Sequence, residues 1–495
     1  MMLVVNKNKS SLLQQLFALL FSVTLVTINI LRIVKVPITI DENGYDPYES
    51  YAELWQSARG HANNHMLHSI IRKFLVEHFS GDIIFYRLDS LFAQILFLVT
   101  TYLICRFLLK DVFWLLLGFC FLNLISPLIF QFWGLSRGYA LSLAFMVLSI
   151  YCLLIYLRNN KLSLLCLAYI TAILSVYSNF GYLNYFCSLA AVVLLHNFIF
   201  KKPDRRKNLI KELLITAVAA GVLAAIIKRP LINVWENGEI MYMGRNGFME
   251  DTIKSLVRDG LFISNITAVN ILSWVVAAIV FGEGIYWLYT YFKKQFQDEP
   301  KKSAFKTGIL FYLLLTVPAI SMIAQHKIFQ INYLTDRTAL FFIILFSLNL
   351  VYWLYYIKPS FPKISWGALL FIFVAAVYNY AANLNLVSTY LWWFDAEDVH
   401  VISRIANETK NKNRKIKVGV SWMFVPSFNY DFEQKFPGMF YPVKNLTDTA
   451  GKDTTFDYYY ITPSEVSDRI NDYYSADTTY MFGGYILYRK KGLLH

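Results

Sequence analysis

Residues 12–31 read LLQQLFALLFSVTLVTINIL, an unbroken stretch without a charge. At a rise of about 1.5 Å per residue, such a run covers the ~30 Å of hydrocarbon in a bilayer. It is read as a membrane-spanning helix and not as a core helix. A cleavable leader would have a shorter apolar centre and a small-residue cleavage site. Neither accompanies Lys7 and Lys9, so a retained first helix is expected.

Ten further apolar runs follow, near residues 88–109, 112–132, 138–157, 162–178, 183–200, 209–228, 266–290, 307–325, 338–357 and 364–384. The composition agrees: over 495 residues the chain is 57% hydrophobic and only 16% charged, outside soluble globular usage. The 46 Lys and Arg against 33 Asp and Glu leave a net charge of +13, and much of it sits in short loops between apolar runs. Such loops are topology signals, which weighs against nucleic acid as a partner. The five cysteines lie in or beside apolar runs with no CxxC or Cys/His spacing, so they are read as buried thiols with no disulfide or zinc framework.

Alternate connections are basic: Lys7 and Lys9, Arg106 and Lys110, Arg158 and Lys161, KKPDRRK at 201–207, Lys293 to Lys306, and Lys358 with Lys363. The positive-inside rule puts these in the cytoplasm. Residues 32–87, 229–265, 326–337 and everything past about 385 then face outward. Beyond Asn385 the apolar runs end; DAEDVHVISRIANETK has the pattern of an amphipathic helix, and KIKVGVSW, DYYYI and GGYILYRK read as strands. The fold class expected is an all-α polytopic membrane protein of about eleven spans, residues 1–385, with a small outer α/β domain at 386–495.

The outer segment after the first run holds most of the candidate chemistry. It carries Asp41, Glu42, Asp46, Glu49 and Glu53. Glu49 and Glu53 read as the solvated face of an interfacial helix, given Tyr48, Tyr51, Leu54 and Trp55 beside them. Asp41 and Glu42 differ, because they follow directly on the exit of a spanning helix, where a carboxylate is near a lipid-borne substrate. His65 in HANNHMLH could ligate a metal with His61 or His68, bind a sugar hydroxyl, or serve a helix start; no HExxH pattern accompanies it. Glu283 lies in a span nearer the cytoplasmic end and is read as structural.

Five features in order form a pattern: the apolar first helix, the Asp41-Glu42 pair, Asn63 to Leu67 (NNHML), Tyr86 to Ser90 (YRLDS) and Ser136 to Ala140 (SRGYA). Together they resemble the GT-C superfamily of membrane glycosyltransferases, nearest the protein O-mannosyltransferase and aminoarabinose transferase relatives. The resemblance is best over the first ~200 residues, with an echo at Asp336-Arg337-Thr338. It implies a sugar carried on a polyprenyl phosphate and moved, with inversion, to an acceptor hydroxyl on the outer face of the membrane. Asp41 would be the base, with Glu42 supporting or sharing that role, and DENGYDP departs from the family pattern in a way that leaves the choice between them open. The acceptor the resemblance implies is a lipid, a glycan or a protein.

A leaving phosphate must be held where bilayer meets water, and the planar arginine fork suits it. Arg87, Arg137 and Arg337 each sit at the outer end of a run and are the candidate phosphate ligands; His65, Asn64, Tyr139 and Lys327 are candidate substrate contacts. No cofactor and no metal site is expected, a divalent cation staying open. The alternative reading is a polysaccharide polymerase or ligase using a lipid-linked glycan, which would lack an acidic pair after the first helix. A transporter would show broken helices in paired halves. The location implied is the inner (plasma) membrane, with the site on its periplasmic or outer side.

Overall fold

Backbone N–H and C=O groups in hydrocarbon can be satisfied only inside the chain, so long apolar runs become helices. The computed structural model of the protein describes residues 7–43, 50–56, 65–200, 206–238, 244–293, 299–443, 446, 450–479 and 484–493. Its helices are α1 (Lys7–Lys35), α2 (Tyr51–Gln56), α3 (Met66–His78), α4 (Ile83–Leu108), α5 (Val112–Leu124), α6 (Pro127–Phe132), α7 (Tyr139–Asn159), α8 (Leu162–Ser178) and α9 (Leu183–Phe200). They continue with α10 (Arg206–Glu236), α11 (Lys254–Gly260), α12 (Ile266–Phe292), α13 (Glu299–Phe329), α14 (Phe341–Ile357), α15 (Pro362–Asn383), α16 (Asp398–Thr409), α17 (Val425–Gln434) and α18 (Ile470–Tyr473). Every apolar run read from the sequence is helical, all but one of them falling on a single helix. Among the described residues, 7 helices are long and apolar enough to cross a membrane, and α5, α8, α9 and α14 are shorter apolar helices. The chain is a polytopic membrane protein.

One run differs from expectation. Residues 112–132 do not form one helix: α5 stops at Leu124, and Ser126 caps a new helix, its hydroxyl accepting from the Ile129 N–H at 3.2 Å with Pro127 in the first turn. A residue before proline is pushed out of the helical region, and proline is accepted only at a helix start, so Ser126-Pro127 breaks the run.

The chain forms two compact units, one made of Met1–Ile30, Ser50–Arg72 and Arg87–Leu384, the other of Leu31–Glu49, Lys73–Tyr86 and Asn385–His495. In the first, α7 is buried along nearly its whole length and packs on α8. Small polar residues stitch this pair: Ser149 Oγ donates to the Ala168 carbonyl at 2.8 Å and Ser175 Oγ to the Ser142 carbonyl at 2.7 Å. Small hydroxyl residues permit close approach between helices in lipid, and their bonds find no competing water. Around them α9 packs on α13, α10 on α8 and α5 on α15. Outward, α1, α12 and α15 expose Leu, Ile and Phe, as helices facing lipid do. Glu283 on α12 is buried and accepts from Trp287 Nε1 at 2.8 Å and Asn349 Nδ2 at 2.5 Å.

The second unit is built on a sheet of four strands, β1 (Val418–Val420), β2 (Tyr458–Ile461), β3 (Tyr474–Thr479) and β4 (Ile486–Lys490), in the order β1-β2-β4-β3. β1 and β2 are parallel and the other pairs antiparallel. Strand β2 is buried on both faces. Tyr458 and Tyr460 pack with Val401, Ile402 and Ile405 of α16 and Phe424, Phe428 and Phe432, while Tyr459 and Ile461 pack with Ile470 and Tyr474. This is the period of two that strand geometry dictates. Strand β3 was not anticipated, because YSADTT has no apolar alternation; it is an edge strand with a bulge between Ala476 and Thr478. The extra residue, Asp477, bonds Arg404 at 2.7 Å.

Candidate functional site

Three of the motifs read from the sequence meet in the helical unit. His65 and His68 stand three residues apart at the start of α3, hence on one face. His68 Nδ1 bonds Asp89 Oδ2 on α4, and its Nε2 lies 3.1 Å from the hydroxyl of Ser136 in the turn before α7. Asp89 Oδ1 accepts from the Ser90 N–H at 2.8 Å, and Ser90 Oγ donates to the Leu135 carbonyl at 2.6 Å. NNHMLH, YRLDS and SRGYA are thus tied by hydrogen bonds, and all of His65, His68, Asp89, Ser90 and Ser136 are buried.

The turn itself admits no other residue at Gly138. An added Cβ there would come within 2.3 Å of the Ser178 carbonyl oxygen and 2.5 Å of His65 Cβ. Arg137, beside it, is buried with its guanidinium 5.7 Å from the Tyr139 ring centre. Tyr139 meets the His65 ring edge to face at 4.6 Å.

His65 Nδ1 donates to the Ser178 carbonyl at 3.0 Å, which fixes the neutral tautomer with Nε2 as acceptor. Burial first, then the charges of Arg137, His68 and Arg337, hold this imidazole well below its ordinary value, against the pull of Ser178. Nε2 makes no hydrogen bond among the described residues. His65 is therefore a neutral, buried acceptor with two of the candidate arginines close enough to disfavour its protonation.

Arg337 comes from a tight turn at Asp336–Ala339, held by reciprocal bonds of Thr335 and Thr338. Asp336 lies at φ 36°, in the left-handed region that a short polar side chain tolerates by bonding nearby backbone; its carboxylate accepts from the Arg337 N–H. The Asp336 N–H donates to Ser255 Oγ of α11 at 2.8 Å. Arg87 is fully buried on α4, two residues before Asp89. Lys327 is exposed in the last turn of α13, and neighbouring His326 bonds the Ile331 carbonyl at 2.9 Å. Asn64 and His61 lie outside the described residues. Both ring nitrogens of His68 are occupied by Asp89 and Ser136, while His61, the other candidate partner of His65, is outside the described residues. Among the described residues no group of three or more His, Cys, Asp or Glu is arranged to hold a metal ion.

The second unit holds the acidic pair. Residues Ile40–Asn43 form a short 3-10 turn packed on α17. Glu42 is fully buried and its carboxylate accepts from the Thr39 N–H at 2.8 Å, whereas Asp41 is half-buried. Asp395 Oδ2 accepts from the Ile40 N–H at 3.2 Å, and Asp398 accepts from Ser427 Oγ. Burial, then the charges of Asp398, Glu42 and Asp41, push Asp395 well above the usual carboxylate range, with the Ile40 bond pulling the other way. Burial also raises Asp398. Sequence reading named neither Asp395 nor Asp398 as a candidate; the structure buries both. It also passed over Asp89 and His68 as partners, although a carboxylate at the edge of an apolar run is a signal.

No family model matches the chain, and no curated protein matches it. Among solved structures the chain is similar to the crystal structure of ArnT from Cupriavidus metallidurans bound to undecaprenyl phosphate, at 9% sequence identity over 97% of this chain and 98% of that one, with a TM-score of 0.48. The chemistry of the site is carried by its own residues.

Proposed function

We propose that this chain is an inverting membrane glycosyltransferase of the GT-C kind, which moves a sugar from a polyprenyl-phosphate donor to an acceptor hydroxyl on the outer face of the membrane. What supports the reading is the buried His65, whose ring meets that of Tyr139 at 4.6 Å with the Arg137 guanidinium 5.7 Å from the same ring, and on which the charges of Arg137 and Arg337, far apart in sequence, both act. Arginine forks hold phosphate oxygens through parallel bonds and keep their charge when buried. In the proposed site Arg137, Arg337 and Arg87 hold the donor phosphate, the open Nε2 of His65 accepts from a sugar hydroxyl, and Tyr139 supplies an aromatic wall.

Asp41 is the proposed base. A hydroxyl is a poor nucleophile until its proton is removed in the transition state, and a positioned carboxylate contributes roughly 10² to 10⁴ in rate. Asp41 is half-buried, and Glu42, fully buried with its carboxylate on the Thr39 N–H, is placed to support it. The acceptor oxygen attacks the anomeric carbon, its proton passes to Asp41, and the bond to the phosphate oxygen breaks with the electron pair leaving on the lipid phosphate. Assaying purified protein with a panel of polyprenyl-phosphate sugars and the matching nucleotide sugars tests the reading. Transfer is expected from a lipid-linked donor only, and Asp41→Asn is expected to lower turnover roughly 10²-fold or more while the protein stays folded. Efficient transfer from a nucleotide sugar without added lipid would overturn it.

A further inference from the structure

The 3-10 turn Ile40–Asn43 is closed on one side by its own residues. The Glu42 N–H donates to the Thr39 carbonyl at 2.9 Å, and the Glu42 carboxylate accepts from the Thr39 N–H at 2.8 Å. The N–H of Ile40, directly before Asp41, goes elsewhere: it donates at 3.2 Å to Oδ2 of Asp395, 355 residues on in the same compact unit. Asp395 is itself held, because its N–H donates to the Trp392 carbonyl at 3.3 Å and the Trp392 N–H to Thr389 Oγ1 at 3.2 Å. Its side chain is buried, and Oδ1 makes no hydrogen bond among the described residues. The charges that act on it most are those of Asp398 on α16 and of Glu42 and Asp41 in the turn, all of its own sign. An ionised carboxylate in so dry a place calls for donors on both oxygens or a cation beside it. The neutral acid needs neither: it accepts on Oδ2 and carries its hydrogen on Oδ1.

We propose that Asp395 is a positioning residue for the base: as a neutral acid bonded to the Ile40 N–H, it sets where the Asp41 carboxylate stands for the transfer step. The proposal rests on the reading of Asp41 given above. Asp395 touches no reacting atom and acts only through the turn. Its ionisation works against that role. A carboxylate would accept more strongly from Ile40, but it would also set a like charge against Asp41 and Glu42. Burial and those charges outweigh the bond and hold Asp395 well above the usual carboxylate range. The other titratable groups about the pair are Tyr485, which burial and then the charges of Asp395 and Asp398 push up, and Asp431 and Glu397, which act on Asp398; Asp431 is bonded to Lys435 at 2.9 Å. As pH rises through its folded value Asp395 loses its proton, the turn is repelled, and turnover falls.

The test is steady-state transfer from a polyprenyl-phosphate sugar by the purified full-length protein, with kcat and donor KM followed across pH in variants whose thermal unfolding shows them folded. Wild type is expected to lose kcat toward alkaline pH. Asp395→Ala deletes the acceptor and is expected to lower kcat roughly tenfold or more, with donor KM changed less than about twofold, because the base acts in the transition state and the proposed donor ligands lie in the helical unit. Asp395→Asn keeps an acceptor for Ile40 and cannot ionise, so it is expected to recover most of that turnover and to remove the alkaline decline. Arg404→Ala breaks the ion pair with Asp477 at the sheet edge; as the control for a loosened unit, it is expected to keep the wild-type kcat and profile. An alkaline decline unchanged in Asp395→Asn, or wild-type kcat in Asp395→Ala beside an inactive Asp41→Asn, overturns this proposal and leaves the transfer reading standing. Near-normal transfer by Asp41→Asn, or none by wild type from any lipid-linked donor, overturns both.

Discussion

His65 shows how much of a site one residue can reveal and how much it hides. The sequence marks it, inside NNHMLH, as a candidate for a metal, a sugar or a helix start. What decides among these is the Ser178 carbonyl, 113 residues away, which takes Nδ1–H and leaves Nε2 an acceptor. No local pattern predicts that partner, and none predicts that Gly138 is pressed against both. The depressed imidazole has a consequence for stability. Its folded value lies below the unfolded one of ~6.5, so below that pH the unfolded chain gains a proton the native chain refuses. The associated stability is complete above ~6.5 and falls with acidification by at most about 1.4 kcal/mol per pH unit. Thermal unfolding of the detergent-solubilised protein should therefore show a steeper loss of midpoint on acidification for wild type than for His65→Gln, whose amide can still donate to Ser178. Parallel curves would remove His65 as the cause.

Among the elements, the helices were legible because an uncharged run of spanning length has one solution in lipid. The Ser126-Pro127 break between α5 and α6 was legible in principle, from the proline alone, and was hidden by the hydrophobicity on either side. Strand β3 was not legible, since an edge strand of polar residues carries no alternation. The same limit concealed the turn that presents Asp41, which is held by a residue from the far end of the chain: Asp395 accepts from the Ile40 N–H at 3.2 Å. Because Asp395 is raised above its unfolded range, the stability it contributes is present below ~3.9 and is lost as pH rises through its folded value. Two substitutions separate its bond from its charge. Asp395→Asn keeps an acceptor for Ile40 and has no charge to bury, so it should raise the unfolding midpoint on the alkaline side of neutrality relative to wild type. Asp395→Ala deletes the acceptor and should cost about 1 kcal/mol at acid pH, where the wild-type carboxyl is neutral. Equal midpoints for the Asn and Ala variants at every pH would show that the bond to Ile40 contributes nothing.

For the whole molecule, the orientation expected follows from the charge of the connections. The basic connections at Arg106 and Lys110, Arg158 and Lys161, 201–207, Lys293 to Lys306, and Lys358 with Lys363 alternate with connections that carry the candidate site residues. Counting the four shorter apolar helices with the seven long ones makes the number of crossings odd, so the two termini fall on opposite faces. Short cytoplasmic loops hold excess Lys and Arg because moving such charges through hydrocarbon is unfavourable. The rule predicts that the amino-terminal lysines and residues 201–207 are inside, with the turn that carries Asp41 and the sheet unit outside. Moreover, the shorter helices must really cross: if one of α5, α8, α9 or α14 only dips into the bilayer, every later connection changes sides. Paired reporters, one active only in the cytoplasm and one only outside, fused after Lys161, within 201–207, after Lys358 and after His495 follow the chain through each of these helices in turn. The expected pattern is inside, inside, inside and outside. With an inside signal after Lys161, an outside signal at 201–207 would show that one of α8 and α9 fails to cross. A cytoplasmic signal after His495 would put the sheet unit on the wrong face for a base acting on a lipid-borne donor outside the membrane, and would overturn the assignment of Asp41.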